Sequence, residues 1–283
     1  MSESTWTGNP ALLLRVDDRF ELAGVDTSET PGFDGDKEAG EELLAQGAGE
    51  LADLQEQLYA ESRAGGTRKL LLVLQAMDTA GKGGVIRHVV GAIDPQGVRV
   101  VGFKKPTPEE LAHDFLWRVR KQVPAPGIVG VFDRSHYEDV LIGRVRGLAP
   151  AEVIEARYGQ IVAFEDELVA EGTTIIKVML HIGAEEQKAR LAERLDRPDK
   201  HWKYNPGDLA ERALWPRYQE AYQIALQRTS TGTAPWHVVP ADRKWYAHLA
   251  VQRLLLDALR GLDLRWPAAT FDVEAEKGRL AAS

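Results

Sequence analysis

Cysteine is absent from the chain, which excludes disulfide staples, a thiol nucleophile and thiolate metal ligands. Long apolar runs are absent too, and nothing approaches the ~20 residues that a membrane-spanning helix needs. The first 30 residues also lack the basic start and apolar core of a secretion signal. A soluble cytoplasmic protein is expected. There is no overall basic excess, with 43 acidic against 35 basic side chains and a formal charge of −8. The charge is split unevenly: residues 1–61 hold 15 acidic and 3 basic groups, and residues 62–283 hold 28 and 32. An acidic extension thus precedes a mildly basic body, and residues 24–50 read as a solvated arm. What is present is ample, since 283 residues, 44% of them apolar, suffice for a full core.

From Lys69 onward the pattern alternates between short apolar runs and helical spacing. Leu70–Leu74, Val98–Phe103, Ile128–Phe132, Thr173–Ile182 and Trp236–Val239 read as five strands. Helices are expected from Val85 to Ile93, Pro108 to Lys121, Ala151 to Glu171, Ala184 to Leu195, Asp208 to Arg228 and Asp242 to Leu259. Strands separated by helices imply an α/β fold, a five-stranded parallel sheet with helices on both faces. The expected organisation is an acidic extension with helix over 1–65, an α/β domain over 66–265 and a tail over 266–283.

Three segments carry chemistry. Between the first strand and the first helix stands Ala76-Met77-Asp78-Thr79-Ala80-Gly81-Lys82-Gly83-Gly84, where a phosphate-binding loop belongs. Small residues there let backbone N–H groups approach phosphate oxygens, and Lys82 reaches a terminal phosphate as a point charge. The pattern G-x-x-x-x-G-K-[ST] is broken twice, by Ala76 and by Gly83. Without the hydroxyl that would help hold Mg²⁺, Asp78 is the next candidate oxygen ligand. In the second segment an apolar strand ends in Asp133, as in a Walker B strand that aims a carboxylate at Mg²⁺, and Arg134 follows. His136, two residues on, suits packing or hydrogen bonding better than a base, because phosphoryl transfer depends mostly on positioning and charge. The third segment places Arg190, Arg194 and Arg197 on one helical face, ahead of Lys200, Trp202 and Lys203, as expected of a helical lid over about 190–216. Lys104, Lys105, Arg144 and Arg146 add positive charge. The seven tryptophans suit core or lid packing better than base stacking, and neither nucleic acid nor membrane is expected as a partner.

Taken together, AMDTAGKGG, FDRSHYEDV and RLDRPDKHWKYNPGDL resemble the polyphosphate kinase 2 family over roughly residues 40–262. The resemblance implies a P-loop kinase fold similar to thymidylate kinase, with a helical lid. It implies Mg²⁺-dependent, reversible phosphoryl transfer between inorganic polyphosphate and AMP, ADP or ATP, in a homodimer or homotetramer. Catalytic roles carry over to Asp78, Lys82, Asp133 and Arg134, with Asp78 and Asp133 on the metal. Phosphate contacts carry over to Ala80, Gly81, Lys82, Gly83, Gly84, Arg134, Arg144, Arg194, Arg197 and Lys203. Nucleotide contacts fall to Asp78, Lys104 and Glu138. Members that accept AMP as well as ADP tend to carry an acidic residue where Glu138 stands, and Gln75 and Ala76 suit the same subgroup. An ADP-only enzyme, an NTP-dependent nucleotide kinase and a non-catalytic phosphate binder remain open at this point.

Overall fold

The computed structural model describes residues 6–283. Asp36 accepts the Ala39 N–H and opens helix α1 (Lys37–Arg63), which leads into strand β1 (Lys69–Ala76). Then follow α2 (Lys82–His88), β2 (Val98–Gly102), β3 (Val129–Asp133), α3 (Ala151–Ala170), β4 (Thr173–His181) and α4 (Ala184–Asp196). Helix α5 (Trp215–Thr229), β5 (Trp236–Pro240) and α6 (Lys244–Arg260) complete the α/β body. The five strands are parallel in the order β2-β3-β1-β4-β5. The chain leaves β1 for one edge and later returns past it to the other, so the carboxyl end of β1 is a topological switch point, where such sheets hold their ligands.

All eight residues of β1 are buried, and their alternation assigns them to two cores. Leu70, Leu72 and Leu74 pack with Leu51 and Leu58 of α1, Val85 of α2 and Leu255 of α6. Leu71 and Val73 face the other way, onto Ile161 and Phe164 of α3 and Leu226 of α5. Cover on both faces explains why the strand reads as a continuous apolar run.

Three expectations need correction. Residues 24–50 are not a solvated arm: Phe33 is buried in the core, Gln252 donates to the Leu44 carbonyl at 2.8 Å, Asp242 N–H donates to Thr27 O at 3.1 Å, and the helix continues on to bury Leu51 and Leu58 against α6. The acidic groups decorate the outer side of a helix whose leucines are core. The expected helix over 108–121 is two single turns, Pro108–Leu111 and Trp117–Arg120, because the Asp114 carboxylate accepts the Leu116 N–H between them and opens a new turn. The helix expected over 208–228 is likewise split into Gly207–Arg212 and α5, whose first turn contains Pro216, a residue with no N–H to continue the ladder. The tail carries an unanticipated helix, Val273–Ala281. Among the described residues no helix is long and apolar enough to cross a membrane.

Candidate active site

Strand β1 delivers the chain into the loop over residues 77–81. Gly81 takes a φ of 115° and Thr79, with a side chain, a φ of 68°. A left-handed non-glycine residue is costly and persists only where its surroundings hold it. Arg190 supplies that hold. It is buried in α4 and donates to Thr79 O at 3.0 Å, Ala241 O at 2.6 Å and Asp242 O at 2.9 Å. Gln187, one turn earlier, donates to Asp78 O at 3.2 Å, and Arg212 from the lid donates to Gln187 Oε1 at 3.1 Å. Arg190, expected as a lid cation, is therefore the clamp that fixes the loop to the end of β5.

The register pairs Asp133 with Leu74, so the last residue of β3 lies beside the end of β1. Asp133 Oδ1 is buried and has no hydrogen-bond partner among the described residues. Arg134 follows with a φ of 67°, its N–H donating to Leu74 O at 3.0 Å and its Nη2 to Asp78 Oδ1 at 2.8 Å. Lys82 Nζ donates to Ala76 O at 3.3 Å. Burial, aided by repulsion from Arg134, lowers the Lys82 pKa, while Asp133, Asp78 and Glu138 pull the other way. Burial also works against the Arg134 charge, but Glu138 and Asp78 outweigh it and raise its pKa.

Two clefts meet at this bridge. The larger, about 890 Å³, runs along the loop and is walled by cations. Ala80, Gly81, Lys82, Gly83 and Gly84 line its floor, with Asp78, Asp133 and Arg134 at one end. Lys104, Arg194 and Lys203 also line it, joined by Lys200 of the expected lid and by Lys244, which the sequence reading did not place in the site. The smaller cleft, about 320 Å³, shares Asp78, Arg134 and Asp208 but adds no further cation: Leu141, Tyr218 and Tyr222 line it with the acids Glu138 and Glu211 and the amides Gln187 and Asn205. Glu138 has its pKa raised by burial, against the pull of Arg134 and Lys82. With its amide nitrogen toward Glu138, the fully buried Gln75 donates to Oε1 at 3.0 Å and accepts from Ser135 Oγ and N at 3.2 and 3.1 Å. An amide at position 75 lets Glu138 stay beside it without like-charge repulsion.

Three residues stand elsewhere than expected. Lys104 lies in the cationic cleft, not with Glu138. Arg144 lines neither cleft, because its guanidinium donates to Glu155 at 2.7 Å on the outer side of α3. Arg197 also lies outside, half-exposed and paired with Asp199 at 2.8 Å and Glu193 at 3.3 Å. His136 is buried away from both clefts, its Nε2 3.3 Å from Glu165 Oε1. It joins a network that the sequence reading missed. Lys177 Nζ donates to Glu165 Oε2 at 2.5 Å, Thr229 O at 2.6 Å and Tyr137 Oη at 3.1 Å, anchoring the turn that follows Arg134. The signal for it was a lone lysine inside an otherwise apolar strand.

Among the described residues no three histidines or carboxylates converge as a ready-made metal cage. Mg²⁺ does not require one, since one or two carboxylates with phosphate oxygens and water complete its shell. The orphan oxygen of Asp133, with Asp78 in the same cleft, fits that donor set.

A sequence profile of the family described as Polyphosphate kinase 2 (PPK2) matches residues 34–265. The chain belongs to the polyphosphate kinase 2 family. It is 51% identical over 254 residues to an AMP/ADP-polyphosphate phosphotransferase of Meiothermus ruber, covering 90% of this chain and 94% of that protein. It is 40% identical over 265 residues to an ADP-polyphosphate phosphotransferase of Rhodopseudomonas palustris, covering 89% and 90%. Its fold matches the crystal structure of polyphosphate kinase 2 from Arthrobacter aurescens at a TM-score of 0.97 and 60% identity, over 98% of each chain. That match confirms the P-loop kinase architecture expected from the sequence. In this member of the polyphosphate kinase 2 family, Asp78 from the loop and Asp133 from the end of β3 line the same cleft as Gly83.

Proposed function

We propose that this chain moves the terminal phosphoryl group of inorganic polyphosphate onto AMP and ADP, and runs the reverse reaction from ATP. One observation carries the reading: a long cationic cleft and a smaller aromatic, acidic cleft meet at the Asp78–Arg134 bridge. The first suits a donor that repeats its negative charge along a chain, because fixed cations in a cleft focus the field that captures it. The second suits the nucleotide, with apolar and aromatic walls for the base and few polar groups to orient it. The relatives named for AMP/ADP and ADP acceptors support the same substrates.

In this reading Asp133 and Asp78 would hold Mg²⁺, which would offset charge on the phosphate oxygens. Lys82, held at the start of α2 on the cleft floor, binds the phosphoryl group in transit. Arg134 spans the two clefts and stabilises charge as it passes from donor to acceptor. Arg194 and Lys203 close over the donor from the lid, while Lys104 holds it from the end of β2. Glu138 and its Gln75 partner set the acceptor side and favour AMP as well as ADP. Arg144 and Arg197 would reach a donor chain only where it extends beyond the cleft.

A homodimer or homotetramer in the cytoplasm is proposed with this activity; exposed Trp266, Phe271 and Leu280 near the chain end suit a subunit contact. Donor choice tests the reading. With AMP as acceptor, polyphosphate should support ADP formation in the presence of Mg²⁺, and chelation should abolish it. A requirement for a nucleoside triphosphate as donor would contradict it.

A further inference from the structure

Beyond Lys82 the cationic cleft is lined by Arg87 and His88 from α2 and by Lys244 and His248 from α6. The two imidazoles stack, with centroids 5.0 Å apart and planes at 27°. His136, His201 and His237 each engage a ring nitrogen with a protein oxygen. No hydrogen bond holds the ring of His88 or His248 among the described residues, and both rings face the cleft. Gly84 makes the arrangement possible, because a Cβ there would lie 2.8 Å from His248 Nε2. His88 stands six residues past Lys82, ~9 Å along the helix axis. That is beyond the reacting phosphate, where a longer donor chain would continue.

We propose that His88 and His248 form an anion subsite in the cationic cleft that takes a phosphate unit of a condensed-phosphate donor away from the one transferred, and that filling it takes up a proton. The proposal rests on the reading of this cleft as the donor site. The groups acting on His248 are His88 across the stack, Lys244 one turn earlier on its own helix and Arg190 from α4. Arg87 lines the same wall. Burial, aided by His88, Lys244 and Arg190, holds His248 at about 4, so it is neutral at pH 7 in the free protein. A bound phosphate unit reverses the local sign and favours the imidazolium. By linkage the donor binds more tightly as pH falls, over the window between the raised value in the complex and about 4 in the free protein.

The test is steady-state kinetics with long-chain polyphosphate and with tripolyphosphate at pH 6, 7 and 8, on the wild type, H88N/H248N and H88K. For the wild type, KM for the long donor should fall as pH falls. In H88N/H248N it should rise about three- to tenfold at pH 6 and lose that pH slope, with a smaller change for tripolyphosphate. H88K carries a fixed charge and should keep a low KM at pH 8, which separates charge at the subsite from damage to the fold. Unchanged KM and pH slope in H88N/H248N would overturn the subsite alone. No turnover of polyphosphate by the wild type would overturn the donor-site reading and the subsite with it.

Discussion

The two clefts are built on the same loop and share Asp78, Arg134 and Asp208, yet they solve different problems. The cationic cleft gathers charge from the loop, the end of β2, the lid and α6, and much of that charge sits on long, exposed side chains such as Lys104 and Lys203. The smaller cleft draws on buried and half-buried groups with named partners: buried Gln75 on Glu138, and the half-buried Tyr218 hydroxyl on Glu211 at 2.6 Å. A repeating anion can be captured by a distributed field, whereas a nucleotide must be oriented by a few fixed contacts. Substitutions in the first cleft should therefore act gradually and through salt-sensitive affinity. Those in the second should act on selectivity, and those at the junction should act on turnover.

Acid sets the baseline, because it acts on both clefts through the fold. His181 and His237 lie outside the clefts, and burial lowers each to about 4 from 6.5. The unfolded chain binds the extra protons, so their contribution is complete above pH 6.5 and is lost as pH falls towards 4. The loss is on the order of 3 kcal/mol for each at most. Urea unfolding at pH 7 and pH 5 should show the decline, and equal or greater stability at pH 5 would contradict it.

At the junction, Lys82→Ala or Asp133→Asn should lower turnover by at least ~10², with the fold intact by circular dichroism. Near-normal turnover in either variant would remove that residue from the mechanism. Arg190→Ala leaves the carbonyls of Thr79, Ala241 and Asp242 without their donor and frees the strained loop, at a cost of about 2–3 kcal/mol. Thermal unfolding reads the loss, and an unchanged midpoint would refute the clamp. Glu138→Asn should reduce AMP use about tenfold relative to ADP, read as the ratio of kcat/KM for the two acceptors. The smallest effect belongs to Lys203→Ala: a rise of about two- to threefold in donor KM that vanishes at high salt, because this lysine is exposed and exposed charges are screened. A comparable rise in nucleotide KM would blur the division between the clefts.

Much of this was legible in the sequence, for physical reasons. A strand buried on both faces must be apolar throughout, so β1 and β4 announce themselves, and the glycines after β1 mark the loop. Asp133 became informative because it ends the strand paired with β1. The clamp was not legible, because an arginine at helical spacing beside other arginines looks like a solvated face until its partners are known. For α1, acidic residues between the leucines masked a buried stripe that only α6 completes. Arg144 and Arg197 have the right charge in the right region, but pairing with Glu155 and with Asp199 turns them away from the clefts. Side-chain pairing across 11 residues, as for Arg144, leaves no periodic trace.

A single reaction tests polyphosphate-dependent phosphoryl transfer most directly: inorganic polyphosphate, Mg²⁺ and either AMP or ADP, resolved by nucleotide chromatography. ADP followed by ATP from AMP, and ATP from ADP, is the predicted result. No nucleotide product from either acceptor, with no consumption of ATP in the reverse direction by the same folded protein, would contradict it.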